Sequence, residues 1–376
     1  MSSEEEYNEE EEGKDRVMII DNGSCNSKIG FSTFKKPRII PTCIGFPMNK
    51  NPSTKYAEIG DDVLKIKSRF NIDYPIQEGK IKDITKMKIF WEKELKEILY
   101  KYEKEEDRDI YFKVILTEPP LTTKKDRELI AEEIFGMYKV YGLFISNPAI
   151  LSLISTGRET GVLVDSGYEI TQIVPIYCNF RLQHAVKHLY LGGKDLTDYM
   201  RSLLFKAGYT SANIEYSASI KKRVCYLAEN YGNKNAIPYE LHLPDDKEII
   251  LKEERVMCPE VLFNPQILGK KKENIVDACY NSIEMCDNDI KHEMFDNIIL
   301  SGGNTRFKGL KQRYLSEMKD YLPLLKVDNI IEAENNRYSA WEGAKIIAKL
   351  SGMETNWISR TEYEEIGAKI VNRKFF

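Results

Sequence analysis

The feature that most constrains this chain is a pair of aspartate-glycine turns, each closing an apolar run. Val17-Met18-Ile19-Ile20 leads into Asp21-Asn22-Gly23-Ser24, and Val162-Leu163-Val164 leads into Asp165-Ser166-Gly167, the two aspartates lying 144 residues apart. A short β-branched run ending in such a turn predicts a strand that folds back as a hairpin. Glycine is expected to supply the positive φ that lets backbone N–H groups converge on an anion. An aspartate at each turn suits a phosphate-bound metal held through water, because Mg²⁺ keeps most of its hydration. Together the turns read as a two-sided clamp for nucleotide phosphates; either alone reads equally well as an ordinary hairpin.

The chain repeats the arrangement. After the first turn, Lys28-Ile29-Gly30-Phe31 is the expected return strand and brings Lys28 near the anion. Residues 46–60, with Pro47 and Pro52, read as an exposed loop. The apolar run from Phe112 to Leu116 precedes Asp126 to Tyr138, whose apolar residues at 129, 130, 134 and 137 predict an amphipathic helix. Asn147-Pro148 supplies an N-cap and a first helical residue for a helix over Ala149 to Ser155. Strand, turn, strand, then helices thus occurs twice, which predicts a duplicated α/β fold with its ligand between the copies. Asn297-Ile298-Ile299-Leu300 feeds Ser301-Gly302-Gly303-Asn304-Thr305, and adjacent glycines at a strand end permit close backbone approach to a ligand. Ser339-Ala340-Trp341-Glu342 reads as a capping box opening a helix through Leu350.

Composition narrows the function classes. A chain of 376 residues is expected to form two lobes, each with its own core. No apolar run approaches the roughly 18 residues of a membrane span, and the N-terminus is acidic, so membrane insertion is not expected and an intracellular site is. Seven cysteines, odd in number and without a CxxC pair, read as reduced thiols, and the four histidines lack metal-ligand spacing. The net charge of −4 comes from the head: residues 1–13 hold seven glutamates and no base, leaving 55 basic against 52 acidic side chains. Residues 1–15 are therefore expected to be a disordered acidic tail. No basic stripe interleaved with aromatics points to direct nucleic-acid binding.

Three ordered motifs of this kind match the actin, sugar-kinase and heat-shock chaperone superfamily, and the local phrases resemble actins over nearly the whole chain. They include Asp21-Asn22-Gly23-Ser24, Leu116-Thr117-Glu118, Leu151-Ser152-Leu153, Val174-Pro175-Ile176-Tyr177, Asp195-Leu196-Thr197-Asp198-Tyr199, Cys258-Pro259-Glu260, Leu300-Ser301-Gly302-Gly303 and Trp357-Ile358-Ser359. The resemblance is to a divergent actin-related protein, with Leu143-Phe144-Ile145-Ser146 and Ser155-Thr156-Gly157 similar to centractin. It implies two lobes around a nucleotide cleft, residues 16–155 with 350–376 (small insert 46–79) and residues 156–349 (insert 192–281). The cofactor it implies is ATP or ADP with Mg. On matching positions Ser24 and Lys28 would contact phosphate and Asp21 and Asp165 would hold the metal through water, with Asn22, Gly23, Ser166 and Gly167 also among the cofactor-binding residues. Gly193, Lys221, Gly302, Gly303, Phe307 and Arg337 would surround the adenosine. Three positions depart from the family: Cys25 replaces a small residue, Tyr168 an aspartate, and Lys222 the glutamate that receives the ribose. The two positions that orient the attacking water in actins carry Pro148 in place of Gln and Gln172 in place of His.

These readings imply a nucleotide-binding subunit of a cytoskeletal or larger protein assembly, in the cytoplasm and cytoskeleton or the nucleus, with weak or absent ATP hydrolysis. Its partners are expected to be actin-related or other complex subunits. The alternatives are a nuclear remodelling-complex subunit and a small-molecule kinase, the latter needing a general base where Tyr168 stands. Ordinary actin-like homofilaments are not expected, because the Gly45–Gly60 loop is short and Leu268-Gly269 runs into Lys270-Lys271-Lys272-Glu273 instead of an apolar plug. Burying such charges without partners is costly.

Overall fold

The structure is a computed structural model and describes residues 16–48, 56–106, 111–137, 139–229, 236–242 and 248–375, without the side chains of 102–106. The acidic head and Pro52 lie outside the described residues. Val17–Asp21 is buried at every position, as a strand covered on both faces must be. It pairs antiparallel with Asn26–Phe31 and parallel with Phe112–Thr117, also wholly buried. Val140–Ser146 and Ile358–Ser359 extend the sheet on one side and Arg38–Pro41 on the other.

The second sheet repeats this plan. Gly161–Ser166 pairs antiparallel with Thr171–Tyr177 and parallel with Ile298–Ser301. Ile330–Glu332 continues it beyond Ile298–Ser301, while Phe180–Arg181 and Lys187–Leu189 both pair with Thr171–Tyr177. In each copy a hairpin ends in an aspartate turn and its first strand lies beside a later parallel strand. The expected duplication is therefore visible in the hydrogen-bond register.

Each sheet has its own core. Trp91, Phe90, Met87 and Ile130 pack on the first, and Leu196, Met200, Ile220 and Tyr314 on the second. Two helices lie where the chain passes between the sheets. In Pro148–Ile154, Ala149 and Leu153, four apart and so on one face, pack with Leu163, Ile176 and Ile299 of the second sheet. Leu151 packs with Val17, Ile19 and Trp341 against the first. Helix Ser339–Ala348 crosses it so closely that a Cβ on Gly343 would stand 1.8 Å from the Leu151 carbonyl oxygen. No side chain fits there.

Several local expectations need correction. Pro47 ends a strand, Ile44–Pro47, which pairs with Glu58–Ile59 and Phe70–Asp73, so the described part of the 46–60 stretch carries sheet edges rather than loop alone. The amphipathic helix runs Lys124–Phe135, with Thr123 and Asp126 forming its capping box. Ser339 caps nothing. It is already helical, and its hydroxyl sits 2.9 Å from Ser152 Oγ and 2.7 Å from Ser301 Oγ, joining both crossing helices to the second sheet. A buried hydroxyl takes whichever partner tertiary packing supplies.

One buried acid is strained by its surroundings. Glu94, in helix Ile84–Glu106, is fully enclosed; Arg38 Nε approaches to 2.8 Å but off the hydrogen-bond direction, while the same guanidinium grips Glu97 with both terminal nitrogens. Burial, only partly offset by Arg38, raises the Glu94 pKa from 4.5 to about 7. A carboxyl whose folded pKa is raised contributes stability in full below its unfolded value and loses it as pH rises through the folded one. Stability should therefore fall between pH about 5 and pH about 8, and Glu94→Gln should flatten that fall, a relative gain on the order of 2 kcal/mol at pH 8. Denaturant unfolding of both proteins across that range tests it; parallel curves would disprove it.

Candidate functional site

The two turns face one another across the lobes. Asp21 is buried; Thr117 Oγ1 donates to its Oδ1 at 2.9 Å and Lys28 Nζ lies 2.8 Å from its Oδ2. Lys28 reaches it because the two residues are register partners in the hairpin. In the second turn, Gln172 Nε2 donates to Asp165 Oδ2 at 3.1 Å, again from the register-partner position. Burial raises the Asp165 pKa, Gln172 and Lys28 oppose the rise, and Asp21 adds to it. Two carboxylates thus share one lysine, leaving an uncompensated negative charge where the turns meet.

Several sequence candidates hold the site rather than line it. Asn22 donates its backbone N–H to Thr117 Oγ1 and its Nδ2 to Thr117 O, and accepts from Trp91 Nε1. These bonds fix the turn. Ser166 Oγ is engaged by Thr171 Oγ1 at 2.9 Å and by Asn304 Nδ2 at 3.1 Å. The buried ammonium of Lys221 donates to Gly193 O at 2.6 Å and Thr197 Oγ1 at 2.9 Å, and burial lowers its pKa. Gly193 opens helix Gly193–Lys206, but its N–H and that of Lys194 bond to the carbonyls of Gly167 and Tyr168.

The glycines act otherwise than expected. Neither Gly23 nor Gly167 has positive φ; Gly302 does, at 91°. A Cβ on Gly23 would meet Asn26 O at 2.5 Å, and one on Gly302 would meet Asp165 Oδ1 at 2.5 Å, so both are needed for close packing. Gly303, by contrast, begins the short turn Gly303–Arg306 with nothing within 4 Å of where its Cβ would stand. Its flank is open to a ligand. Phe307 closes that turn and packs on the second core.

Positive charge from both lobes converges on the first turn. Lys222, Lys221, Lys28 and Arg337 all pull the Cys25 thiol pKa down, against a larger upward push from burial. Three of those four cations belong to the second sheet's half of the molecule, so the field is assembled by the fold and not by one stretch of sequence. Such a gathering of positive charge attracts anions. Tyr168 is close enough to Cys25 that its own pKa is raised, burial being the larger cause.

Sequence reading passed over Thr117, Asn304 and two contacts between the lobes. Asn304 Nδ2 reaches Gly167 O at 2.7 Å and ties the third motif to the second turn. Glu169 Oε2 accepts from the Glu78 N–H at 2.7 Å, and Lys67 pairs with Glu215. The Thr117 phrase was legible only as part of a family resemblance. Nothing in the local pattern of the others marks them.

The oxygen-rich pair Asp21 and Asp165, with an unbalanced charge between them, fits a hard divalent cation. Among the described residues no group of three or more His, Cys, Asp or Glu forms a metal cage. A cation here would therefore take its remaining ligands from phosphate and water.

Paired hairpin sheets whose aspartate turns oppose one another, with a glycine-rich third loop pressed against the second turn, define a duplicated two-lobed α/β protein. The Actin family model matches residues 13–223 and 209–376, and the chain belongs to the actin family.

Proposed function

We propose that this actin-family chain binds ATP or ADP with Mg²⁺ between its lobes and serves as a subunit of a cytoskeletal or other multiprotein assembly, hydrolysing ATP weakly if at all. The observation that carries the nucleotide reading is the approach of Asp21 and Asp165 across the lobes, with four cations acting on Cys25 of the first turn. When bound, Mg²⁺ supplies charge neutralisation between phosphate and the two carboxylates. In this reading Lys28 exchanges its 2.8 Å pairing with Asp21 for a phosphate oxygen, Ser24 contacts phosphate as well, and the open flank of Gly303 leaves room for the nucleotide. Arg337 adds charge near Cys25.

The assembly reading draws on the loop after Leu268. Its charges find partners within the molecule: Lys270 lies 2.6 Å from Asp195 Oδ1, and Lys187 lies 2.6 Å from Glu273 Oε1. The burial cost expected from unpaired lysines is thus reduced at Lys270, while Lys271 and Lys272 remain exposed. A loop fastened by ion pairs and tipped with two exposed lysines favours an acidic partner surface over an apolar one. Two measurements on purified protein test the proposal. Calorimetry should show Mg-ATP binding, and pelleting with electron microscopy in Mg-ATP and salt should show no long single-component filaments; absence of binding, or such filaments, defeats the corresponding half.

A further inference from the structure

Asp165, Gln172 and His188 stand in one row across three neighbouring strands. Asp165 is the register partner of Gln172, and Gln172 is the register partner of His188. Directly opposed residues of antiparallel strands project from the same face with Cβ atoms about 5 Å apart. The row therefore presents a carboxylate, an amide and an imidazole along one surface. That surface faces the first lobe. At one end Asp165 interacts with Lys28 and Asp21; at the other, Arg181 interacts with Glu118 and Arg127 of the first lobe and with His188 itself.

Gln172 is buried and held to Asp165, whereas His188 is half-buried with its Nδ1 wholly enclosed and without a hydrogen-bond partner among the described residues. An enclosed ring nitrogen without a partner is costly unless water or ligand completes it. The chemistry of the row is divided. An amide can orient a water molecule but cannot take its proton; a neutral imidazole can. Burial first, and Arg181 second, lower the His188 pKa and keep the ring neutral at physiological pH. The charges facing it are Arg181, with Glu118 and Arg127 behind, and Asp165 beyond Gln172.

We propose that His188 accepts the proton of the water that attacks the γ-phosphate of ATP in this cleft, with Gln172 orienting that water. This rests on the ATP-binding reading above. The water oxygen bonds to the γ-phosphorus as the bond from phosphorus to the β,γ-bridging oxygen breaks. One water proton passes to His188 and on to solvent, and ADP and inorganic phosphate are released. The slow turnover that remains without the family's own water-orienting pair is thereby assigned to a residue on the neighbouring strand.

His188→Gln keeps a polar side chain of similar reach and tests the assignment. Single-turnover phosphate release at pH 7.5 should slow tenfold or more, within the range of general-base effects, with Mg-ATP affinity changed less than about twofold. The wild-type rate should fall as pH drops through the His188 pKa, and the variant should lose that fall. A readout independent of turnover comes from imidazole NMR, with four histidines to assign and the His188 signal identified by its loss in the variant. The ring should titrate below about 6.5 in nucleotide-free protein. Its midpoint should rise by about half a unit or more when Mg-ADP with beryllium fluoride fills the cleft, because the phosphate mimic favours imidazolium. Unchanged rate and pH profile in the variant, or a midpoint indifferent to the mimic, overturns the role of His188 while leaving ATP binding intact. Failure of the wild-type protein to bind Mg-ATP overturns the underlying reading and this inference together.

Discussion

Alanine at Asp165, or at Asp21, will weaken Mg-ATP binding at least tenfold, about 1.4 kcal/mol. The reason lies in the charge shared between the turns. With both carboxylates present and Lys28 between them, the site carries an excess negative charge; the Asp165 pKa is raised chiefly by burial, with Asp21 adding to the rise and Gln172 and Lys28 opposing it. A divalent cation relieves that excess, and each carboxylate it loses weakens its hold. Metal-free ATP should respond oppositely. Removing Asp21 releases Lys28 from its 2.8 Å pairing and removes a repulsion toward phosphate, so the variants should bind metal-free nucleotide at least as well as the parent. Calorimetry with and without magnesium distinguishes this from simple unfolding, which would abolish both. Parent-like Mg-ATP affinity in both variants would refute the clamp.

Phosphate release in a single turnover will be about a hundredfold slower than actin's, or slower still, under the same conditions. Preorganised contacts to the reacting groups are each worth roughly 2.7–4 kcal/mol, and proline at 148 has no side-chain donor or acceptor to supply one. Its neighbour does not replace it. Asn147 Oδ1 accepts the Ala149 N–H at 2.9 Å as the N-cap of helix Pro148–Ile154 and is itself buried. Gln172 is held against Asp165 and keeps a capacity to orient water. Pro148→Gln should accelerate release, and the helix should tolerate it, because the first helical N–H has no intrahelical acceptor in any case. A rate equal to actin's in the unmodified protein, measured side by side, would sink the expectation.

What the sequence made legible was whatever is settled over a few residues. The strand-turn pairs at Asp21 and Asp165 and the Asn147-Pro148 helix start all form where local chemistry points. What it concealed depends on partners brought from afar. Ser339 has the spacing of a cap, yet Ser152 and Ser301 outcompete its own helix for the hydroxyl. Lys221 reads as a ligand-facing cation until the helix beginning at Gly193 is placed beside it. Asn22 reads as part of a phosphate turn until Thr117, 95 residues away, and Trp91 claim its polar groups. The demand for positive φ was real but fell on Gly302, because that loop is the one pressed against the Asp165 carboxylate.

The crossing of Pro148–Ile154 with Ser339–Ala348 has a mechanical consequence. The main chain passes from one sheet to the other only along these two segments, and they touch backbone to backbone at Gly343 and Leu151. Side chains at a contact can change rotamer and slide; a carbonyl against a glycine has nothing to rearrange. The point where they meet is thus an axle. The halves can swing about it, as shears do about their rivet, but cannot be drawn apart there without unpacking Trp341, Leu151 and Ile19. Relative motion of the two halves is therefore angular. It is smallest at the axle and grows with distance from it, so the Lys67–Glu215 and Glu169–Glu78 contacts, which join the two halves, oppose it.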